Sequence, residues 1–120
     1  MNKIYAAGTC LLLMSFFPLN SYAGKILSGD EIKELITDKT VFVTLNSSTQ
    51  WRQYHAANGE SYRDNGNISD WYVEDNKHCN TAARLVCAEI RDNEDGTYAR
   101  LKNNGETAVT WNKIINGKDF

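Results

Sequence analysis

Along the chain the apolar positions follow three regimes: an unbroken N-terminal run, one helical stripe, then short alternating stretches. Ile4 to Leu19 is almost uncharged, with Leu11-Leu12-Leu13-Met14 and Phe16-Phe17 at its centre. Met1-Asn2-Lys3 puts a positive charge before it, and Ser21-Tyr22-Ala23 offers small residues at the two positions a signal peptidase pocket accommodates. This is the layout of an export leader. The run is shorter than the roughly 20 residues needed to cross a bilayer. Residues 1–23 are therefore expected to be a signal peptide cleaved before Gly24, leaving no stable membrane insertion. Cys10 sits too early in the run for a lipid-bearing cysteine and is expected to leave with the leader.

The helical stripe comes next. Ser28-Gly29-Asp30-Glu31 matches a capping box, in which the serine oxygen and the glutamate carboxylate each satisfy an orphan amide at a helix start. Ile32, Leu35 and Ile36 then fall at i, i+3 and i+4 and form one apolar face. The pattern predicts a helix ending near Asp38-Lys39, packed by that face on something flat and apolar.

From Thr40 onward the period is two. Val41, Val43 and Leu45 alternate with Phe42 and Thr44, and further short runs cover Trp51 to Ala56, Ser61 to Asp64, Ile68 to Asp75, Leu85 to Arg91, Thr97 to Lys102 and Thr107 to Ile115. Turn chemistry separates them: Asn58-Gly59, which favours a two-residue hairpin, Asn65-Gly66-Asn67, Asp75-Asn76-Lys77, Asn93-Glu94-Asp95-Gly96 and Asn103-Asn104-Gly105. Regular turn signals with no second helical stripe predict a mainly β fold, an antiparallel meander or small barrel of six to seven strands with one N-terminal helix.

Charge and cysteine content narrow the partners. Lys3 is the only charged residue of the leader, so the chain from Gly24 carries 12 Lys and Arg against 15 Asp and Glu, a net −3 over 97 residues. That length makes one domain, 24–120. The signs are interspersed and no basic block exists, which argues against nucleic acid as partner. Cys79 and Cys87 are the two cysteines outside the leader. In an exported chain their spacing reads as a disulfide clamping one β-hairpin. Closing a loop of about nine residues contributes roughly 2.5 kcal/mol in the chain-entropy account.

The sequence has a resemblance that rests on these elements together. The segments Leu27-Ser28-Gly29-Asp30-Glu31-Ile32, Trp71-Tyr72-Val73-Glu74-Asp75 with Cys79, Cys87-Ala88-Glu89-Ile90 and Trp111-Asn112-Lys113-Ile114-Ile115-Asn116-Gly117 carry it. It is similar to uncharacterised families of small exported proteobacterial proteins with a capped helix, a Trp-x-Val-x-Asp strand and a cysteine pair. Asp38 stands where a turn glycine is common in that pattern. The resemblance implies a periplasmic address and a β-rich fold, and it implies no activity.

No arrangement of side chains marks an enzyme. A redox pair would place its cysteines two residues apart at a helix start, where the dipole lowers the thiol pKa; eight residues between strands fit a structural bond. His55, His78 and Cys79 lack metal-ligand spacing. Asp70 and Glu74 share a strand face with Tyr72 and read as solvated carboxylates, not a glycosidase pair. Ser47 and Ser48 have no nucleophile elbow around them. Neither a cofactor nor a metal is expected. Trp71 and Trp111 read as core. Trp51, Arg52, Tyr54 and His55 cluster beside a polar loop and form the candidate binding surface, because aromatic groups with arginine give contact area at low entropic cost.

Three functions follow in order. The first is a non-catalytic periplasmic or secreted interaction protein whose partner is an envelope or extracellular protein. The second is a small β-barrel that binds an apolar ligand. An exported hydrolase comes third. Processing and the staple give the first prediction: the intact mass of the exported protein begins at Gly24 and lies two hydrogens below the reduced value. Alkylation of both thiols without prior reduction would rule out the bond. Cys79→Ala should cost about 2–4 kcal/mol and leave the fold class unchanged.

Overall fold

The structure, a computed structural model, describes residues 24–120. The expected leader and Cys10 lie outside the described residues. The elements are β1 (Lys25–Ile26), α1 (Gly29–Ile36), β2 (Lys39–Asn46), β3 (Thr49–His55), β4 (Glu60–Arg63), β5 (Ile68–Glu74), β6 (Lys77–Asn80), β7 (Cys87–Ala88), β8 (Ile90–Asp92), β9 (Tyr98–Leu101) and β10 (Thr107–Asn116). All the strands join one sheet in the order β1-β8-β9-β10-β2-β3-β4-β5-β6-β7, and every neighbouring pair is antiparallel. The protein is mainly β with one helix, as the alternation predicts. Ten strands replace the expected six to seven for three reasons, the first being that β6, Lys77–Asn80, lies in a stretch expected to carry only the reversal of the chain. The two residues of β1 are too few to show a period, and the expected strand from Leu85 to Arg91 splits at Glu89 into β7 and β8.

That split shows the shape of the sheet. Glu89 alone separates β7, at one end of the strand order, from β8, next to the other end. A flat sheet cannot satisfy this connection, so the sheet curls round until its ends approach. The Leu101 amide of β9 donates to the Glu89 carbonyl at 2.9 Å, which carries the β8–β9 ladder one rung into this connection. Register shifts leave Leu45 of β2 and Ala108 and Asn112 of β10 as extra residues, each of which bends its strand and strengthens its twist. Cys79 and Cys87 face each other directly across β6 and β7 and are disulfide-bonded. The staple therefore clamps the strand pair that the cysteine spacing predicts.

One end of the curl is filled by α1. The capping box forms as read: the Glu31 amide donates to Ser28 Oγ at 3.2 Å, and the Ser28 amide to Glu31 Oε1 at 2.8 Å. Ile32 and Ile36 are fully buried with Leu27, Val41, Trp71, Ile90 and Trp111, whereas Leu35 sits at the margin of this core. The first turn of the helix approaches the β5–β6 turn so closely that a Cβ at Gly29 would lie 2.9 Å from Val73 Cγ1. The Gly29 amide donates to Asn76 Oδ1 at 2.7 Å in the same contact. The helix ends earlier than Asp38-Lys39, because Thr37 is extended and Asp38 takes a φ of 61°. Aspartate tolerates this left-handed region, and its carboxylate accepts from the Ala57 amide at 2.9 Å. That bond ties the helix exit to the β3–β4 turn.

Turn chemistry is used repeatedly. Ala56–Glu60, Arg63–Asn67 and Lys102–Glu106 have one architecture, in which an asparagine oxygen accepts the amide two residues on and only the intervening glycine has positive φ. Asn58-Gly59 is thus part of a longer bulged hairpin turn and not the two-residue turn expected of it. The two-residue turn falls instead at Asp75-Asn76, where φ is 53° and 59°.

Burial makes the helix testable. Ile36→Ala should lower stability in urea by about 2–5 kcal/mol, and Ser28→Ala by about 1 kcal/mol. Leu35→Ala, at the margin, should cost less than Ile36→Ala; the reverse order would mean that the helix seats another face.

Candidate functional site

The end of the curl opposite α1 is open. The β2–β3, β4–β5 and β9–β10 turns and the loop 81–86 all lie at this end, because β2, β4, β6 and β9 run away from the helix and their partners run back. Between these turns and the core lies a cavity of about 700 Å3. Val43, Leu45, Trp51, Val109 and Trp111 form much of its apolar wall, and Ala82 to Leu85 of the cysteine-flanked loop lie along its rim. A smaller groove of about 370 Å3 beside α1 includes Glu31, Glu34 and Asp92.

Two histidines and an arginine meet where the cavity reaches the core. His55, from the last position of β3, and His78, from β6, are buried, and their Nε2 atoms are 3.2 Å apart. Arg100 of β9 donates from Nε to His78 Nδ1 at 3.0 Å, and from Nη2 to the carbonyls of His78 at 3.1 Å and Val86 at 2.8 Å. These contacts fix the proton positions. A guanidinium only donates, so His78 Nδ1 accepts and the ring's proton sits on Nε2. His78 Nε2–H then donates to His55 Nε2, which leaves the His55 proton on Nδ1. His55 Nδ1 is buried and has no partner among the described residues.

Charge follows from the same geometry. Burial, and to a lesser degree the Arg100 charge, pulls the His55 pKa down to about 3. Burial, then His55 and Arg100, also holds His78 well below the usual histidine range. Both rings are neutral near pH 7. Arg100 is 7% exposed, and burial lowers its pKa to about 10, so it remains a cation. Trp71 and Trp111 enclose the pair: Trp71 lies edge-on to His55 at 5.2 Å between ring centroids, and Trp111 edge-on to His78 at 5.1 Å.

A chain of neutral hydrogen bonds supports another wall. Trp51 Nε1 donates to Gln53 Oε1 at 3.1 Å, and the Gln53 amide donates to Ser61 Oγ. Asn80 Nδ2 also donates to Ser61 Oγ, at 3.2 Å, and Ser69 Oγ to Asn80 Oδ1 at 3.0 Å. The chain orients Trp51, and the Arg63 guanidinium lies 4.1 Å from the centre of its ring. Arg63 Nε is buried with no partner among the described residues.

The four residues of the sequence-read surface divide between the two faces of β3, as alternation requires. Trp51 and His55 line the cavity, with Gln53 between them. Arg52 and Tyr54 point outward. Arg52 pairs with Asp64 and Asp119, each at 3.3 Å, and the Tyr54 hydroxyl donates to Asp38 at 3.4 Å. Arg63, Ser61, Asn80 and Arg100 escaped the sequence reading. Arg100 had one usable signal, a charged residue between Ala99 and Leu101 in a strand buried on both sides. Among the described residues no group of three or more His, Cys, Asp or Glu side chains could hold a metal ion.

No protein-family model, curated protein or solved structure matches this chain.

The buried pair implies a pH dependence of definite sign. An unfolded histidine accepts a proton near its ordinary pKa of about 6.5, while the folded rings refuse it until far lower, about 3 for His55. Their contribution to stability is intact above pH 6.5 and is lost as the pH falls from there toward 3, approaching roughly 1 kcal/mol per pH unit per ring. Urea midpoints between pH 7 and 4 check the slope. In NMR, the two ring signals should not titrate between pH 5 and 8; a midpoint near 6.5 for either would refute the hydrogen-bonded neutral pair.

Proposed function

We propose that this protein is a non-catalytic periplasmic or secreted binding protein that holds a small organic ligand inside its curled sheet. The cavity carries this reading. Its volume, about 700 Å3, lies in the range of small-molecule sites, roughly 300–1,000 Å3. Its lining exposes more apolar than polar surface, as such sites do, although it is richer in polar and cationic side chains than most. An opening at one end and a helix-filled core at the other suit a ligand that enters past the loop 81–86. The export leader read in the sequence, the likeness to small exported proteins and the Cys79–Cys87 bond support an oxidising compartment.

The alternative, an interaction protein that contacts an envelope or extracellular protein through Trp51, Arg52, Tyr54 and His55, is less favoured. Two of these residues face inward and Arg52 is engaged by two carboxylates. Arg52 and Tyr54 remain available to such a partner on the outer face.

Native mass spectrometry of the exported protein tests the proposal, with an adduct of small-molecule mass expected. Ala108→Trp places an indole in the cavity lining, and it should remove the adduct while the thermal midpoint stays within a few degrees. Absence of any adduct, with no binding of an apolar fluorophore either, would count against the cavity and in favour of the outer surface.

A further inference from the structure

We propose that the ligand is an amphipathic organic anion, with its charged group facing Arg100 and Arg63 and its apolar part against Trp51 and Trp111. This rests on the reading that the cavity binds a small molecule, and it adds the chemical class.

The distribution of charge is the first argument. From Gly24 the chain carries more acid than base, yet Arg63, Arg84, Arg100 and Lys102 line the cavity and no aspartate or glutamate does. Of the eight cations outside the cavity, Lys25 meets Glu31 and Arg52 meets Asp64 and Asp119, while the other six have no carboxylate partner among the described residues, so the contrast lies in the acid-free lining itself. Lys102, at the rim, has Glu106 at 4.0 Å. Among the described residues, Arg63, Arg84 and Arg100 pair with no carboxylate.

Arg100 sharpens the point. A guanidinium removed from water is costly unless an anion compensates it. Its three hydrogen bonds run to a neutral ring nitrogen and two carbonyls, which satisfy N–H groups and leave the charge unanswered. The neighbouring rings cannot supply a negative charge, and the tautomer chain holds them neutral. A structural tie between β9 and the β6–β7 pair explains the hydrogen bonds. It does not explain a full charge at a cavity that lacks acids.

The donors are also oriented in advance. Arg63 lies on the Trp51 ring, which restrains its plane, and its Nε has no partner. An anion accepting from a guanidinium restrained in this way gains charge-assisted bonds with little side-chain ordering. The apolar wall argues against an inorganic ion as the full complement, because phosphate alone would leave Leu45, Trp51 and Val109 facing water. A neutral hydrocarbon would in turn leave Arg100 uncompensated.

Two fluorophores of one shape separate the readings: 8-anilinonaphthalene-1-sulfonate and N-phenyl-1-naphthylamine, which lacks the sulfonate. Binding to the full exported protein should favour the sulfonate at least tenfold, and added sodium chloride should shrink the preference. Arg63→Gln with Arg84→Gln should weaken the sulfonate about tenfold and leave the neutral probe unchanged. Arg100→Gln should abolish the preference, and where that variant fails to fold, the rim pair still gives a result. Equal affinity for both probes, unmoved by Arg63→Gln with Arg84→Gln, would overturn the anion and keep the cavity. If neither probe binds, the cavity and the anion fail together. Inorganic phosphate should raise the thermal midpoint less than decanoate does; an equal rise from phosphate would refute the amphipathic part.

Discussion

The fold depends on how a curled sheet brings its two ends together, and Arg100 is the main side chain at that junction. From β9 it reaches across to the carbonyls of His78 and Val86 and to the imidazole of His78. A backbone contact, Leu101 to Glu89, lies beside it. Side-chain bonds to carbonyls here replace part of the ladder that a regular strand pair would form. The same guanidinium fixes the His78 tautomer, which fixes that of His55. One residue thus couples closure of the sheet to the polarity of the space enclosed.

That space is divided along its axis. Towards α1 it is a packed core of isoleucines and tryptophans; towards the turns it is a cavity with arginines in its lining. Trp111 belongs to both, closing the core and forming the inner wall of the cavity. The histidines occupy the boundary. Their neutral state follows from burial, and a carboxylate partner is what would have raised their pKa.

Local signals were legible and distant ones were not. The capping box, the outer limits of most strands and the cysteine pairing all depend on residues within about ten positions of one another, and each appears as read. Leu35 belongs to the apolar stripe, yet only Ile32 and Ile36 of that stripe are fully buried in the core. Trp51 and His55 were found through composition, whereas Arg52 and Tyr54 were joined to them by proximity in sequence and separated by the pleat. The His55–His78–Arg100 chain has members 23 and 22 residues apart on strands not consecutive in sequence. No spacing rule reaches that far, because the register of a curled sheet is set by packing and bulges. The cysteine pair shows the opposite case: its partners flank one short loop, so sequence distance and spatial distance agree.

The two outermost strands are each only two residues long. A sheet normally presents at its margins a row of free amides and carbonyls that another chain can extend, in strand addition or in fibrils. Here β1 and β7 offer almost none of that template, and Glu89 leads from one margin directly toward the other. A second copy therefore finds little margin backbone to pair with among the described residues. Any macromolecular partner would have to be recognised by side chains on the outer face, since the main chain is already committed.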